Sequence, residues 1–459
     1  MENRKVKENE LILAQNQYYD LDCFKTQVNN NVLVVGSPGS GKTRSIVSPN
    51  ILQASGSYII VDPKGNLYGK YAGYLRQNGY RVQKLNFAVP GDPETVRYNF
   101  FRYIRNDQDV LKIAHMLIKT GDSHDHSYGG DPFWDSAAEL LLVALIGYLV
   151  HYADSSQCNL KNILKLVQAC DIAEEYSGIK SALDEIFEEI GAQNSDDFSY
   201  CKYKSFRQAA NRTLKSILIT VSSKLAVFDT KEIRSLFASD SVNISDIGKR
   251  KTALFVVVSD TDRSMDPMAN LFFTQAINEL CRVADEMPGQ RLPIDVRLIL
   301  DDFATNVCIG EFPRMIASIR SRGISTMLMI QAESQLRSAY GEDCRTIIGS
   351  CDTYVYLGGN DVETAKNVAQ RANLPLKSIL HMPIGTNWIF RRGQQPVKAR
   401  NFDLDSFAKE KLQQPRRVGE KSREITDDLE REGGSDSAGN QQYYSGSILK
   451  RRRRDKNRD

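Results

Sequence analysis

The sequence lacks the features that mark secreted and membrane-inserted proteins. Its 459 residues include eight cysteines but no C-x-x-C pair, so neither a zinc site nor a dense disulfide framework is predicted. The longest apolar run, residues 140–150, is eleven residues long, whereas a helix that crosses a bilayer needs about 20. The first residues are polar and basic and lack the apolar region of a secretory signal. These absences predict a cytoplasmic protein with reduced cysteines.

A strong excess of charge of either sign is also missing. Sixty lysines and arginines stand against 57 aspartates and glutamates, which leaves a net charge of +3. This balance is too small to attract a polyanion over the whole surface, so any nucleic-acid site must be a local basic patch. The apolar content of 41% is that of a soluble globular protein, and the length predicts two folded units with tails.

Short runs rich in Val and Ile predict an α/β fold with a mostly parallel sheet. They cover residues 31–35, 58–61, 81–87, 253–258, 296–300, 325–330 and 353–357. Between the third and fourth runs the pattern is helical, which predicts an all-α domain inserted into the sheet domain. The predicted boundaries are 1–106 and 247–408 for the sheet domain and 107–246 for the insertion. Because both parts must close one sheet, the two ends of the insertion should lie close together.

The final segment, residues 409–459, contains few aliphatic residues and ends in KRRRRDKNRD. Its low hydrophobicity predicts a disordered tail. The basic end is either a solvated terminus or an electrostatic contact for nucleic acid or an anionic membrane surface.

The strongest functional signal is Gly36-Ser37-Pro38-Gly39-Ser40-Gly41-Lys42-Thr43, which satisfies the motif G-x-x-x-x-G-K-[ST] of a phosphate-binding loop, or P-loop. A β-type run precedes it, and the chain after it can begin a helix. The glycines let backbone N–H groups surround phosphates, and the helix N-terminus adds positive potential. Lys42 is predicted to bridge the β- and γ-phosphates of ATP, and the Thr43 hydroxyl is predicted to ligate Mg²⁺.

A P-loop of this kind needs an acid at the end of another strand to hold the magnesium ion. The run 296–300 is followed directly by Asp301 and Asp302. Asp301 is predicted to bind Mg²⁺ through its water shell. Asp302 is predicted to act as the base that orients the attacking water.

Two more polar residues are candidates for catalysis. Gln331 follows the run 325–330 and could sense the γ-phosphate, if that strand lies between the P-loop strand and the acid-bearing strand; alternatively it is a surface residue. Arg320 lies near a helix end just before Gly323, where the helix macrodipole alone favours a cation. The functional alternative for Arg320 is a finger that reaches ATP held by the neighbouring subunit of a ring.

These motifs together resemble the type IV coupling proteins of conjugation and type IV secretion, the ring ATPases of the TraG/TraD kind. The resemblance rests on NNNVLVVGSPGSGKTR, VDPKG, DPFWDSAAELLLVALI, LILDDFA, IRSRGIS, MLMIQAESQL and IIGSCDTYVYLGGNDVETA, in the family's order. It implies a RecA-like motor domain with an inserted all-α domain, assembled as a homo-hexamer. It also implies that ATP hydrolysis is coupled to passing relaxase-bound DNA to the secretion channel.

The sequence departs from the family pattern in two places. Family members usually have Asp-Glu where this chain has Asp301-Asp302, and the shorter side chain implies slow hydrolysis or hydrolysis that depends on a partner and DNA. Most members begin with a transmembrane domain, whereas the motor pattern here starts almost at once. A separate small membrane protein that docks on residues 1–30 is therefore expected to hold this chain at the inner face of the cell membrane.

Three functions are compatible with the sequence. The first is an ATP-driven coupling protein that transfers a DNA–relaxase substrate. The second is a nucleotide-gated docking receptor that turns over little ATP, which the shorter Asp302 leaves open. The third is a double-stranded DNA pump of the chromosome-segregation type, and the helical insertion argues against it.

Overall fold

The computed structural model describes residues 4–118, 132–170, 181–305 and 307–413. The strands of these ranges form a nine-stranded sheet and a separate two-stranded hairpin. The strands are β1 Glu10–Ala14, β2 Gln17–Asp20, β3 Val32–Val35, β4 Ser57–Asp62, β5 Arg81–Asn86, β6 Thr252–Val257, β7 Val296–Leu300, β8 Ile324–Ile330, β9 Thr353–Tyr356, β10 Thr386–Arg391 and β11 Val397–Arg400.

Helices cover both faces of the large sheet and make up the region between β5 and β6. They are α1 Cys23–Thr26, α2 Ser48–Leu52, α3 Asn66–Gln77, α4 Asp107–Ile118, α5 Pro132–Tyr152, α6 Leu160–Ala169, α7 Ala182–Gln193, α8 Phe198–Arg207, α9 Asn211–Leu225, α10 Lys231–Leu236, α11 Asp266–Glu286, α12 Phe312–Ser318, α13 Glu333–Tyr340, α14 Cys344–Gly349, α15 Val362–Ala372, α16 Leu376–Leu380 and α17 Leu404–Gln413.

The large sheet has the order β11-β10-β9-β3-β8-β7-β4-β6-β5. The pairs from β9 to β5 are parallel, and β10 and β11 add two antiparallel strands at one edge. All seven predicted runs are strands of this sheet, which confirms the α/β fold. Six of them were predictable because strands buried on both faces are mainly apolar runs, while the edge strand β5 mixes polar and apolar residues. Strands β10 and β11 are only half-buried, and their mixed polar sequences gave no such signal.

Helix α5 contains the predicted buried helix of residues 140–150 and extends it to 21 residues. Its central apolar residues are buried against α4, α8 and α9. Within the described ranges, Phe133–Tyr152 is the one helical span long and apolar enough to cross a bilayer, and half of it is buried inside the protein. Core helices of domains meet the same criteria of length and composition.

The two ends of the helical region lie side by side, as the sequence predicts. The Tyr98 N–H donates to the Leu236 carbonyl at 3.0 Å, and the Ser241 N–H donates to the Arg97 carbonyl at 2.9 Å. The chain therefore leaves the sheet after β5 and returns before β6 through the same contact zone.

The Glu279 side chain of α11 connects the segment before the helical region with the segment after it. Its carboxylate is only 4% exposed and accepts hydrogen bonds from Arg105 at 3.1 Å, from the Ser245 hydroxyl at 2.6 Å and from Arg282 at 2.7 Å. Burial alone would raise the pKa of Glu279. The hydrogen bonds from Arg282 and Ser245 and the charge of Arg105 outweigh burial and lower that pKa to about 2.

We expect Glu279→Gln to lower the free energy of unfolding by about 2 kcal/mol, because Arg105 and Arg282 lose their buried anionic partner. Since the pKa of Glu279 is lower in the folded state, its contribution is complete above about pH 4.5 and disappears as the pH falls towards 2. Urea unfolding at pH 7 and pH 3 measures both effects. The exposed Glu286→Gln is the matched control, and an equal loss in the two variants would contradict this role.

Helix α17 crosses the predicted start of the disordered tail. It begins at Leu404 and runs to Gln413, and it contacts α2. Its buried Phe407 packs edge-on against Phe402, with ring centroids 5.2 Å apart. The prediction of disorder is thus wrong for residues 409–413, where this apolar contact orders the chain. The rest of the predicted tail, residues 414–459, lies outside the described residues.

Candidate nucleotide-binding site

The P-loop leaves the carboxyl end of β3 and enters the helical turn Thr43–Val47. Backbone hydrogen bonds hold its first residues between the two neighbouring strands. The Gly36 N–H donates to the Ile330 carbonyl of β8 at 3.1 Å, and the Ser37 N–H donates to the Gly358 carbonyl after β9 at 3.0 Å. The ends of three adjacent parallel strands therefore fix the start of the loop.

Glycine is required within the loop and an irregular helix follows it. Gly39 and Gly41 have φ angles of +77° and +92°, which other residues rarely adopt. The helix after the loop starts with a π-helical turn, in which the Ser48 N–H bonds to the Thr43 carbonyl. Pro49, the second residue of α2, has no N–H to offer a regular α-helical bond.

The Lys42 ammonium lies inside the loop. It donates to the Gly36 carbonyl at 2.6 Å and to the Ser37 carbonyl at 3.4 Å. Burial lowers the pKa of Lys42, and the charges of Asp302 and Asp301 oppose that shift. The loop carbonyls are weak partners for a buried cation, so an anionic phosphate at this position would bind the ammonium more strongly.

The Thr43 hydroxyl in the P-loop after β3 lies beside the Asp301 carboxylate, which follows β7. The hydroxyl donates to Asp301 Oδ2 at 2.9 Å, and Asp301 is only 6% exposed. Burial raises the pKa of Asp301 and the neighbouring Asp302 raises it further, while the Thr43 hydrogen bond opposes both. A buried carboxylate beside a hydroxyl is an oxygen donor set that suits Mg²⁺, and a cation there would favour the ionised form.

Asp302 has an unusual backbone conformation. Its φ angle is +51°, in the left-handed region, and its N–H donates to Asp301 Oδ1 at 3.2 Å. Aspartate and asparagine tolerate this region better than most residues, because their short polar side chains can form local hydrogen bonds. The short side chain of Asp302 therefore suits the backbone at this position.

Gln331 lies at the tip of β8, and β8 pairs with β3 on one side and with β7 on the other. The predicted strand between the P-loop strand and the acid-bearing strand is thereby confirmed. The Gln331 side-chain amide forms no hydrogen bond with the described part of the chain. Its role as a sensor of the γ-phosphate stays a prediction.

The sequence did not point to two polar residues beside this site. The Gln335 side chain accepts from the Gln331 N–H at 2.8 Å and donates to the Thr305 hydroxyl at 3.1 Å, so it links β8 to the loop after Asp302. Asn401 donates to the Ser40 carbonyl at 3.4 Å, and the Ser40 hydroxyl is buried without a partner among the described residues. Gln335 belongs to the Q-x-x-x-Q-L run that could have suggested it, whereas nothing local marks Asn401.

Arg320 precedes β8 and lies at the amino ends of the parallel strands, whereas the P-loop lies at their carboxyl ends. Its guanidinium donates to the Cys23 carbonyl at 3.1 Å. The seven residues of β8 separate the amino ends of the strands from the carboxyl ends that carry the P-loop, a distance of about 20 Å. Arg320 is therefore not part of the site in its own chain, and a role towards a neighbouring subunit stays a prediction.

This arrangement defines a class of protein. A P-loop after β3, an acid after β7 and a strand inserted between them are the features of a RecA-like P-loop nucleoside triphosphatase fold. The chain belongs to the family described as Type IV secretory system Conjugative DNA transfer, whose model matches residues 2–373. The resemblance seen in the sequence is thereby confirmed.

Individual relatives are distant in sequence. The conjugal transfer protein TraG of Agrobacterium fabrum is 20% identical over 360 residues, which cover 76% of this chain and 52% of TraG. Protein VirD4 of Rhizobium radiobacter is 22% identical over 366 residues, which cover 74% of this chain and 47% of VirD4. The chain thus spans about half the length of the curated relatives it matches.

Solved structures share the fold at low sequence identity. The bacterial conjugative coupling protein TrwBdeltaN70, in complex with sulphate, superposes with a TM-score of 0.61 at 17% identity, covering 87% of this chain and 90% of that one. VirB4 of Thermoanaerobacter pseudethanolicus gives a TM-score of 0.52 at 12% identity, covering 87% of this chain and 98% of that one.

Proposed function

We propose that this chain is an ATP-driven coupling protein that transfers a DNA–relaxase substrate to a type IV secretion channel. The observation that carries the proposal is the convergence of Lys42, Thr43 and Asp301 at one edge of the sheet, in a member of the conjugative DNA transfer family. TrwB has been solved with the ATP analogue ADPNP and with ADP and Mg²⁺, which supports the same ligands here.

Each residue of the site has a role in this proposal. Residues 36–43 would surround the phosphates, and the backbone N–H groups of residues 39 and 41–43 would donate to them. The Lys42 ammonium would exchange its carbonyl partners for phosphate oxygens. Thr43, through its hydroxyl, and Asp301, through the water shell, would hold Mg²⁺, which would supply positive charge beside the phosphates. Asp302 accepts a proton from the attacking water, and Gln331 contacts the γ-phosphate.

ATP turnover measured with and without single-stranded DNA separates the motor from the docking receptor. We expect DNA to stimulate hydrolysis several-fold, because a motor hydrolyses ATP when its substrate is engaged. The docking receptor is the alternative because Asp302 is one methylene shorter than the Glu that the resemblance implies, and for it a low rate without response to DNA is expected. Helices α4 to α10 between β5 and β6 disfavour the double-stranded DNA pump.

Arg320 is proposed to act towards ATP held by the neighbouring subunit of a homo-hexamer. Lys42→Ala and Arg320→Ala chains mixed in one ring create some interfaces at which both residues are intact. We expect mixed rings to recover part of the hydrolysis that either variant lacks alone. No recovery, in rings shown to contain both chains, would leave Arg320 with only its bond to Cys23.

Association with the cell membrane is proposed to depend on a separate small membrane protein that docks on residues 1–30. Strand β1 is buried, so the partner would contact the exposed parts of this segment, which are the residues just before β1 and helix α1 with Phe24, which is 61% exposed. Membrane association that survives a high-salt wash only in the native host is expected. Equal, salt-labile association in an unrelated host would contradict it.

A further inference from the structure

A stretch near the end of the described chain is basic without any acidic residue. Residues 364–400 contain seven lysines and arginines and no aspartate or glutamate, although the whole chain has 57 acids in 459 residues. At that average, about five acids would be expected in a stretch of this length. Because the net charge is only +3, binding to a polyanion requires a local basic patch, and this stretch can supply one. It forms most of α15, α16 and the β10–β11 hairpin at one edge of the sheet.

The β10–β11 hairpin brings basic and aromatic side chains to one face. Trp388 is the direct antiparallel partner of Lys398, and Thr386 is the partner of Arg400. Because residues two apart on a strand share a face, Phe390 lies on the same face as these residues. The rings of Trp388 and Phe390 stack with centroids 6.3 Å apart and planes at 24°.

The aromatic row continues into β9 and ends at another cation. Phe390 packs edge-on against Tyr354, with ring centroids 6.0 Å apart. The guanidinium of Arg371 lies over the Tyr354 ring at 4.7 Å. Cations therefore flank the row of rings at both ends.

The cations at the outer end of the row are free to bind phosphate. Lys398 and Arg400 are exposed, and neither forms an ion pair with a carboxylate in the described ranges. Arg392 on the same hairpin differs, because it pairs with Asp352 at 3.4 Å. Charge at Lys398 and Arg400 is thus balanced by solvent ions, whose release on binding would favour a polyanion.

We propose that this basic edge, formed by Trp388, Phe390, Lys398 and Arg400, binds single-stranded DNA. Lys398 and Arg400 contact successive phosphates, and the half-buried rings of Trp388 and Phe390 stack with unpaired bases. A duplex keeps its base faces stacked inside and cannot use the rings. The inference rests on the proposed function, because it names a surface for the proposed DNA substrate.

Tryptophan fluorescence reports on this surface directly, because the chain has two tryptophans, Trp134 and Trp388. In the full-length Trp134→Phe variant, the emission comes from Trp388 alone. We expect an oligo(dT) of about 16 nucleotides to quench this emission, and a duplex of equal length to bind at least tenfold more weakly. Equal binding of the duplex, or binding of oligo(dT) without quenching, would overturn the stacking of bases on Trp388.

Charge reversal tests the phosphate contacts. Because two contacts to a single strand are lost, Lys398→Glu with Arg400→Glu should weaken oligo(dT) binding about 25-fold at 0.1 M salt and reduce the slope of log K against log salt by about 1.4. Lys161→Glu with Lys165→Glu, two exposed lysines on α6, is the matched control and should change neither.

The outcomes separate this surface from the proposed function. Unchanged affinity and salt slope in the Lys398 and Arg400 variant, with normal oligo(dT) binding by the parent, would overturn the basic edge and leave the coupling function standing. Failure of the parent to bind oligo(dT), together with ATP turnover that does not respond to it, would contradict both.

Discussion

Replacement of Lys42 by alanine is expected to reduce ATP hydrolysis by about 10³-fold while leaving the fold intact. Lys42 is the cation inside the P-loop, and loss of one preorganised charge that stabilises a transition state costs on this order. Within the described residues its ammonium bonds to the carbonyls of Gly36 and Ser37, and both belong to the loop, not to the packed core. Because burial lowers the pKa of Lys42, removing this buried cation should not lower the melting temperature.

Phosphate release, binding of a fluorescent ATP analogue and thermal unfolding measure these effects. Lys70→Ala, an exposed lysine on α3, is the matched control and should keep the parent rate. Hydrolysis at the parent rate in the Lys42 variant would show that the P-loop does not bind the reacting phosphates.

Asp302→Asn should lower ATP hydrolysis by about 10²- to 10³-fold and leave nucleotide binding nearly unchanged. Asparagine keeps the size of the side chain and tolerates the φ angle of +51°, but it cannot accept a proton from water. Lys42, Thr43 and Asp301, which carry the proposed binding of phosphate and Mg²⁺, remain in place.

A glycine at the same position separates the backbone from the carboxylate. Asp302→Gly relieves the left-handed conformation and should raise the free energy of unfolding by up to about 1 kcal/mol, while hydrolysis stays as low as in the asparagine variant. Full activity in either variant would remove Asp302 from the mechanism. A loss of nucleotide binding in both would assign Asp302 to phosphate or metal binding instead of proton transfer.

The sheet and the P-loop were predictable because the residues that form each strand, and those that form the loop, are adjacent in the sequence. Six of the seven predicted strands are short runs of mainly apolar residues, and residues 81–87 alternate apolar with polar residues. The residues from Gly36 to Thr43 form a complete motif. The pairing of Thr43 with Asp301 also followed, because the carboxyl ends of parallel strands share one edge of the sheet.

Features that depend on tertiary contacts were not predictable in the same way. Asn401 reaches Ser40 from a position about 360 residues away, and nothing in its local sequence marks it. The edge strands β10 and β11 are half-buried and lack an apolar run, although they carry Trp388 and Lys398. The left-handed backbone of Asp302 depends on the loop around it and is absent from any residue pattern.

The position of Arg320 illustrates a different limit. Its position before Gly323 was clear in the sequence. Whether it lies at the amino ends or the carboxyl ends of the strands depends on where β8 begins. A single chain cannot contain the contact that the ring hypothesis assigns to it.

Transfer of DNA from donor cells is the measurement that tests the central claim of ATP-driven coupling most directly. Donors lacking this gene receive either the parent chain or the Lys42→Ala chain at equal protein levels, and the frequency of recipients that acquire the DNA is counted. The parent chain is expected to restore transfer, while the Lys42→Ala chain leaves it at the level of the deletion. Transfer at the parent frequency by a Lys42→Ala chain that hydrolyses no ATP would contradict the account.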